Sequence, residues 1–191
     1  MKQIVAWVGA SLFAASSVAA CSGTTEPQLG FGPRSPITSV NFPQRSQVFG
    51  DIPLCNKSPS TTKIVVTGIA LNEPTNGITV QGWGWKDTYR QRGQITEFSD
   101  ENLDALGFVN KPVEVKMDCA APSDTVLPPD ASPEFAIQLR APGQGDVYTK
   151  GGLVFSYLQD GKPMTSTQVA TYIFCGGGTT HDPAIVAMCP K

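Results

Sequence analysis

The sequence predicts an all-β domain, a two-sheet antiparallel sandwich of about seven short strands for which the immunoglobulin-like arrangement is one model. Three observations carry this. Runs of β-branched and aromatic residues recur, several alternating apolar with polar. Gly, Pro, Asn and Asp clusters separate them at short intervals. Nowhere does a long amphipathic helical period appear, which argues against a parallel α/β fold.

Taken in order, Lys63 to Leu71 is a β-branched run, and Ile78 to Trp85 is another. Between them stands Asn72-Glu73-Pro74-Thr75-Asn76-Gly77, a turn-rich segment ending in the Asn-Gly pair that favours hairpins. A shorter strand is expected over Gln94 to Phe98. One helical turn follows at Asp100 to Leu106, capped by Ser99 and stopped by Gly107. Val113 to Asp118 alternates apolar with charged residues, as a strand with one wet face does. The Pro-rich stretch Ala120 to Pro133 reads as a long connection between strands. Phe135, Ile137 and Leu139 alternate with Ala136, Gln138 and Arg140. Leu153 to Leu158 and Thr167 to Cys175, joined by the turn Gln159-Asp160-Gly161-Lys162, form a second expected hairpin.

The chain ahead of these strands divides in two. Residues 1–20 have the parts of a secretory signal in order: Lys2, the apolar stretch Ile4 to Ala15, then small residues Ser16 to Ala20. The apolar stretch is short of the roughly 20 residues a spanning helix needs. Residues 21–60 are rich in Pro, Gly, Ser and Thr and read as a tether. Its second half (Phe42, Val48, Phe49, Ile52, Leu54) is expected to pack on the domain as an irregular edge. Residues 61–191 form the domain proper, long enough for one modest core.

Val18-Ala19-Ala20-Cys21 resembles the lipobox of bacterial lipoproteins: an aliphatic residue, two small ones, then cysteine. The resemblance covers these four residues and the signal before them, with Val18 where Leu is commoner. It implies that Cys21 becomes the mature N-terminus and carries diacylglycerol, with a palmitate-type chain added on its amine. Each buried methylene contributes about 0.8 kcal/mol to membrane attachment, so several chains anchor durably. The expected address is the outer leaflet of a cell membrane or the outer membrane. Ordinary cleavage after Ala20 would give a secreted protein instead. The Asn56-Lys57-Ser58 sequon fits that second reading in a eukaryotic host.

Cysteine parity bears on the choice. Five cysteines leave an odd thiol; with Cys21 acylated, Cys55, Cys119, Cys175 and Cys189 can form two disulfides in an oxidising compartment. Four cysteines allow three pairings. The expected one is Cys55 with Cys119 and Cys175 with Cys189, the second closing the Gly176-Gly177-Gly178 loop. Cys119 with Cys175, across the sandwich, is the rival, and the spacing fits either. No metal site is expected, since the cysteines form no close pair and the chain has 1 histidine.

Catalytic signals are thin, and no cofactor motif occurs. His181, followed by Asp182, is the one base available to a Ser-His-Asp arrangement, but no Gly-x-Ser-x-Gly elbow accompanies it. Glu97, Asp100, Glu101 and Asp104 supply carboxylates of the kind glycosidases use, yet acidic residues in a helical first turn ordinarily serve its dipole. A secreted hydrolase built on these groups is the enzymatic alternative.

One segment could bind a ligand by its aromatic content. Gly82-Trp83-Gly84-Trp85-Lys86-Asp87-Thr88-Tyr89-Arg90 holds both tryptophans that follow the signal. In a regular strand Trp83 and Trp85 share the polar face with Thr79 and Gln81, as in modules that stack rings on sugars. A bulge at Gly82 or Gly84 would turn the rings into the core instead, which is the favoured reading. Formal net charge is −2 with no basic stripe, so nucleic acid is not an expected partner. The sequence therefore predicts a lipid-anchored, extracytoplasmic binding or structural module. Its expected partners are the membrane and an envelope protein or glycan.

Overall fold

The computed structural model describes residues 26–31, 37–40, 46–52, 54–73, 75–87, 90–91, 101–121, 126–127, 133–143, 145–175, 187 and 189. Among them lie fourteen strands and no helix.

Two sheets face each other. In the first, β10 (Glu134–Arg140) lies between β3 (Ser46–Ile52) and β6 (Thr79–Lys86). In the second, β12 (Leu153–Gln159) and β5 (Ile64–Leu71) are central, flanked by β13 (Lys162–Gln168) and β8 (Val113–Glu114). All pairings in both are antiparallel. Phe49, Ile52, Phe135, Ile137 and Leu139 from the first sheet meet Ile64, Val66, Ile69, Leu153, Phe155 and Tyr157 from the second in one buried cluster. Each such side chain removed from water contributes roughly 1.5–3 kcal/mol, which is why alternation along these strands selects the sandwich.

A third sheet closes one side. There β14 (Thr171–Phe174) runs antiparallel to β11 (Val147–Thr149) and parallel to β2 (Ile37–Val40). Tyr172 and Phe174 meet the edge of Phe49, at ring-centroid distances of 4.9 and 5.8 Å. Two small pairs complete the fold: β1 (Leu29–Phe31) with β4 (Leu54–Asn56), and β7 (Arg90–Gln91) with β9 (Val126–Leu127).

Several expectations need correction. The strand count exceeds seven, because the chain crosses between sheets in short pieces. β5 and β6 do not form a hairpin: they belong to different sheets, and the turn at Asn76 (φ 50°) and Gly77 (φ 81°) carries the chain across the sandwich. The second hairpin is tighter than expected. Asp160 (φ 50°) and Gly161 (φ 79°) form a two-residue turn, so β13 begins at once and Gln159 faces Lys162. Thr171–Phe174 leaves for the third sheet. Val113–Glu114 alone pairs as a strand; Val115 and Met117 stay buried while the chain bends towards Asn56.

The region before residue 61 also proves more regular than an irregular edge. β3 is a full member of the first sheet, with Phe49 and Ile52 at 0 % exposure. Glu26, the first described residue, is docked: its carbonyl accepts from Gln159 Nε2 (3.0 Å), and Gln159 Oε1 accepts the Gln28 N–H (2.9 Å). The strand expected over 94–98 and the cap at Ser99 lie outside the described residues.

Candidate functional site

β6 holds the aromatic segment, and its register decides where the rings point. Gly82 pairs with Gln138 and Val80 with Leu139, so Gln81 is an extra residue. This bulge reverses the alternation. Val80, Trp83 and Trp85 therefore share one face, opposite Leu139, Ile137 and Phe135, and all three pack against the main core. The tryptophans are half-buried, and the polar-face arrangement does not form. The bulge sits at Gln81, one position before Gly82.

Trp85 is further committed to its own chain. Its indole Nε1 donates to the Lys111 carbonyl (2.9 Å), and the Lys111 ammonium lies 5.2 Å from the ring centroid. Its backbone exchanges hydrogen bonds with Val109, which covers the outer edge of β6. Tyr89 lies outside the described residues. Arg90 is placed by its backbone alone, in β7.

The opposite face of β6 presents Gly82 and Gly84, and a small second core forms against it. Leu103 and Phe108 cluster there with Val48 and Ala136. A Cβ on Gly84 would stand 3.0 Å from Phe108 Cβ, and one on Gly82 would stand 3.3 Å from Leu103 Cδ1. These glycines thus allow the 102–108 segment to approach the sheet. That segment is a turn and not a helix. Phe108 N–H bonds Leu103 O (2.9 Å), Gly107 N–H bonds Asp104 O (3.0 Å), and Gly107 takes φ 79°. This is a Schellman closure with its apolar contact between Leu103 and Phe108. Asn102 Oδ1 accepts the Ala105 N–H (2.8 Å), doing what Ser99 was expected to do. Lys86 fastens the turn: its ammonium donates to Leu106 O (3.5 Å), sits 4.5 Å from the Phe108 ring centroid and pairs with buried Glu134 (3.8 Å).

Between this turn and the strands lies a cleft of about 210 Å³, lined by Gln81, Gly82, Trp83, Asn102, Leu103, Asp104, Phe108, Asn110 and Gln138. Sequence reasoning reached Trp83 and weighed Asp104 only as a carboxylate. It missed the amides, because they come from three separate stretches of chain. The usable signal was the pair of glycines within a strand.

The cysteines pair as Cys55–Cys119 and Cys175–Cys189, so the cross-sandwich rival does not form. Asn56 of the sequon is 2 % exposed; its Nδ2 donates to Thr62 O (2.7 Å) and its Oδ1 accepts the Ser58 N–H (2.9 Å). In the folded chain this amide is occupied and inaccessible to a glycan-transferring enzyme. Glu101 is exposed at the foot of the turn, while Cys21, Glu97, Asp100 and His181 lie outside the described residues. Among the described residues no group of His, Cys, Asp and Glu could hold a metal, and no helix is long and apolar enough to cross a membrane.

No known family model matches this chain, and comparison with curated proteins finds no relative.

Proposed function

We propose that this chain is a lipid-anchored extracytoplasmic module that acts by binding. The observation carrying this reading is the cysteine pairing. Two disulfides take up Cys55, Cys119, Cys175 and Cys189, which leaves Cys21, the lipobox residue, as the fifth. Two disulfides in a small β-domain also fit an oxidising compartment. The sequon, which spoke for a eukaryotic secreted protein, is weakened by the burial of Asn56.

Anchoring at Cys21 has a geometric consequence. The chain is already docked at Glu26, and five residues extend at most about 18 Å. The domain is therefore held close to the lipid surface, with the Gln159 end of β12 nearest the attachment. Detergent phase partitioning tests the reading. Mature protein from a host with a lipoprotein pathway should enter the detergent phase, and Cys21→Ser should remain aqueous. Equal partitioning of the two would overturn it.

A further inference from the structure

The cleft on the Gly82 face of β6 carries chemistry that the anchor does not explain. We propose that it binds a single neutral sugar ring, an inference that rests on the binding-module reading and names its ligand class.

The polar lining is arranged before any ligand arrives. Gln138 Nε2 donates to Ser46 Oγ (3.0 Å), and Gln81 Nε2 donates to Thr79 Oγ1 (3.1 Å). Each amide is thereby oriented with its oxygen left over. Asn102 is fixed the other way: its Oδ1 holds the Ala105 N–H, which leaves Nδ2 as a donor. Neither the Asn110 amide nor the Asp104 carboxylate has a protein hydrogen-bond partner among the described residues. The cleft thus offers oriented acceptors and donors together. A hydroxyl donates one hydrogen bond and accepts two, so a polyhydroxylated ring can satisfy both kinds.

Charge and size narrow the class. Among the described lining residues Asp104 is the one charged group, so an anionic ligand would meet repulsion there and no described cation to compensate it. The volume of about 210 Å³ equals roughly seven waters, below the ~300 Å³ at which drug-sized ligands begin to fit. That is room for one ring inside the cleft. Leu103 and Phe108, both buried, form the apolar floor of the cleft. An extended peptide is a poor occupant, because Val109 already takes the β6 edge where a strand would add. The walls are strands and a closed turn, so little ordering is lost on binding.

Saturation-transfer NMR on mature full-length protein, in a detergent without a sugar headgroup, tests this. The probes are glucose, N-acetylglucosamine and glucuronate. At least one neutral sugar should receive saturation, with glucuronate several-fold weaker. Asn110→Leu and Gln81→Leu, both at exposed positions, should each weaken binding about 5- to 10-fold while leaving thermal unfolding unchanged. No transfer to either neutral sugar, equal binding of glucuronate, or wild-type affinity in both variants would overturn the proposal. Failure here beside a lipid on Cys21 removes the cleft assignment alone; sugar binding without the lipid removes the anchor alone.

Discussion

Gln159 holds Glu26 in place through one buried amide. The Nε2 group donates to the Glu26 carbonyl at 3.0 Å, while Oε1 accepts the Gln28 N–H at 2.9 Å. Gln159 itself is 2 % exposed, so little water reaches its amide. The end of β12 thereby fixes where the N-terminal segment meets the sandwich.

Replacing this clasp should loosen the entry point. Gln159→Leu is expected to cost about 1–3 kcal/mol, because a backbone N–H and C=O lose their partner. Amide hydrogen exchange at Gln28 should accelerate. Unchanged protection at Gln28 would mean that the clasp does not hold the segment.

Trp83 and Trp85 are expected to matter for stability. Each sits opposite a fully buried β10 residue, Ile137 and Phe135, and Trp85 also donates to Lys111. Trp83→Ala or Trp85→Ala should cost about 2–4 kcal/mol in urea denaturation, somewhat below a fully buried tryptophan. Wild-type stability in both variants would place the rings outside the core.

The two disulfides should differ in weight. Cys55–Cys119 spans a sequence separation of 64 and Cys175–Cys189 one of 14. On the chain-entropy model they contribute about 4 and about 3 kcal/mol respectively. Gly30 leaves space for the first: a Cβ there would strike Cys119 Sγ and stand 3.0 Å from Cys55 Sγ. Double Cys→Ala variants compared by denaturation should show the larger loss for the Cys55–Cys119 pair. The reverse order would contradict the loop argument.

Alkaline stability should depend on Tyr157. Burial raises its phenol above the ordinary 10.0, with the Leu29 backbone opposing. The folded state therefore keeps a proton that the unfolded chain releases, so its contribution is intact below about pH 10 and is lost as pH rises further. Tyr157→Phe should flatten the fall of the urea midpoint between about pH 9 and 11. An identical slope in the variant would refute this role.

Much of this architecture can be read from residues alone. β12 and β13 announce themselves through alternation around Asp160-Gly161, and Phe135, Ile137 and Leu139 mark β10. The disulfides form in the expected pairing, although spacing fits the Cys119–Cys175 rival equally and only the short Cys175–Cys189 closure is local. What escapes is phase. The extra residues Gln81 and Thr67 each reverse a strand's faces, and nothing in their chemistry distinguishes a bulge from a regular position. β3 is hidden for a similar reason: a register shift beside Gly50 and Asp51 breaks the alternation of Ser46–Ile52. The cleft was illegible because Gln81, Asn102, Asn110 and Gln138 converge only in three dimensions.

The anchor is the central claim, and the mass of the mature N-terminal peptide tests it most directly. The account predicts a peptide beginning at Cys21 whose mass includes a thioether-linked diacylglycerol. A peptide beginning at Cys21 with a free thiol would contradict it.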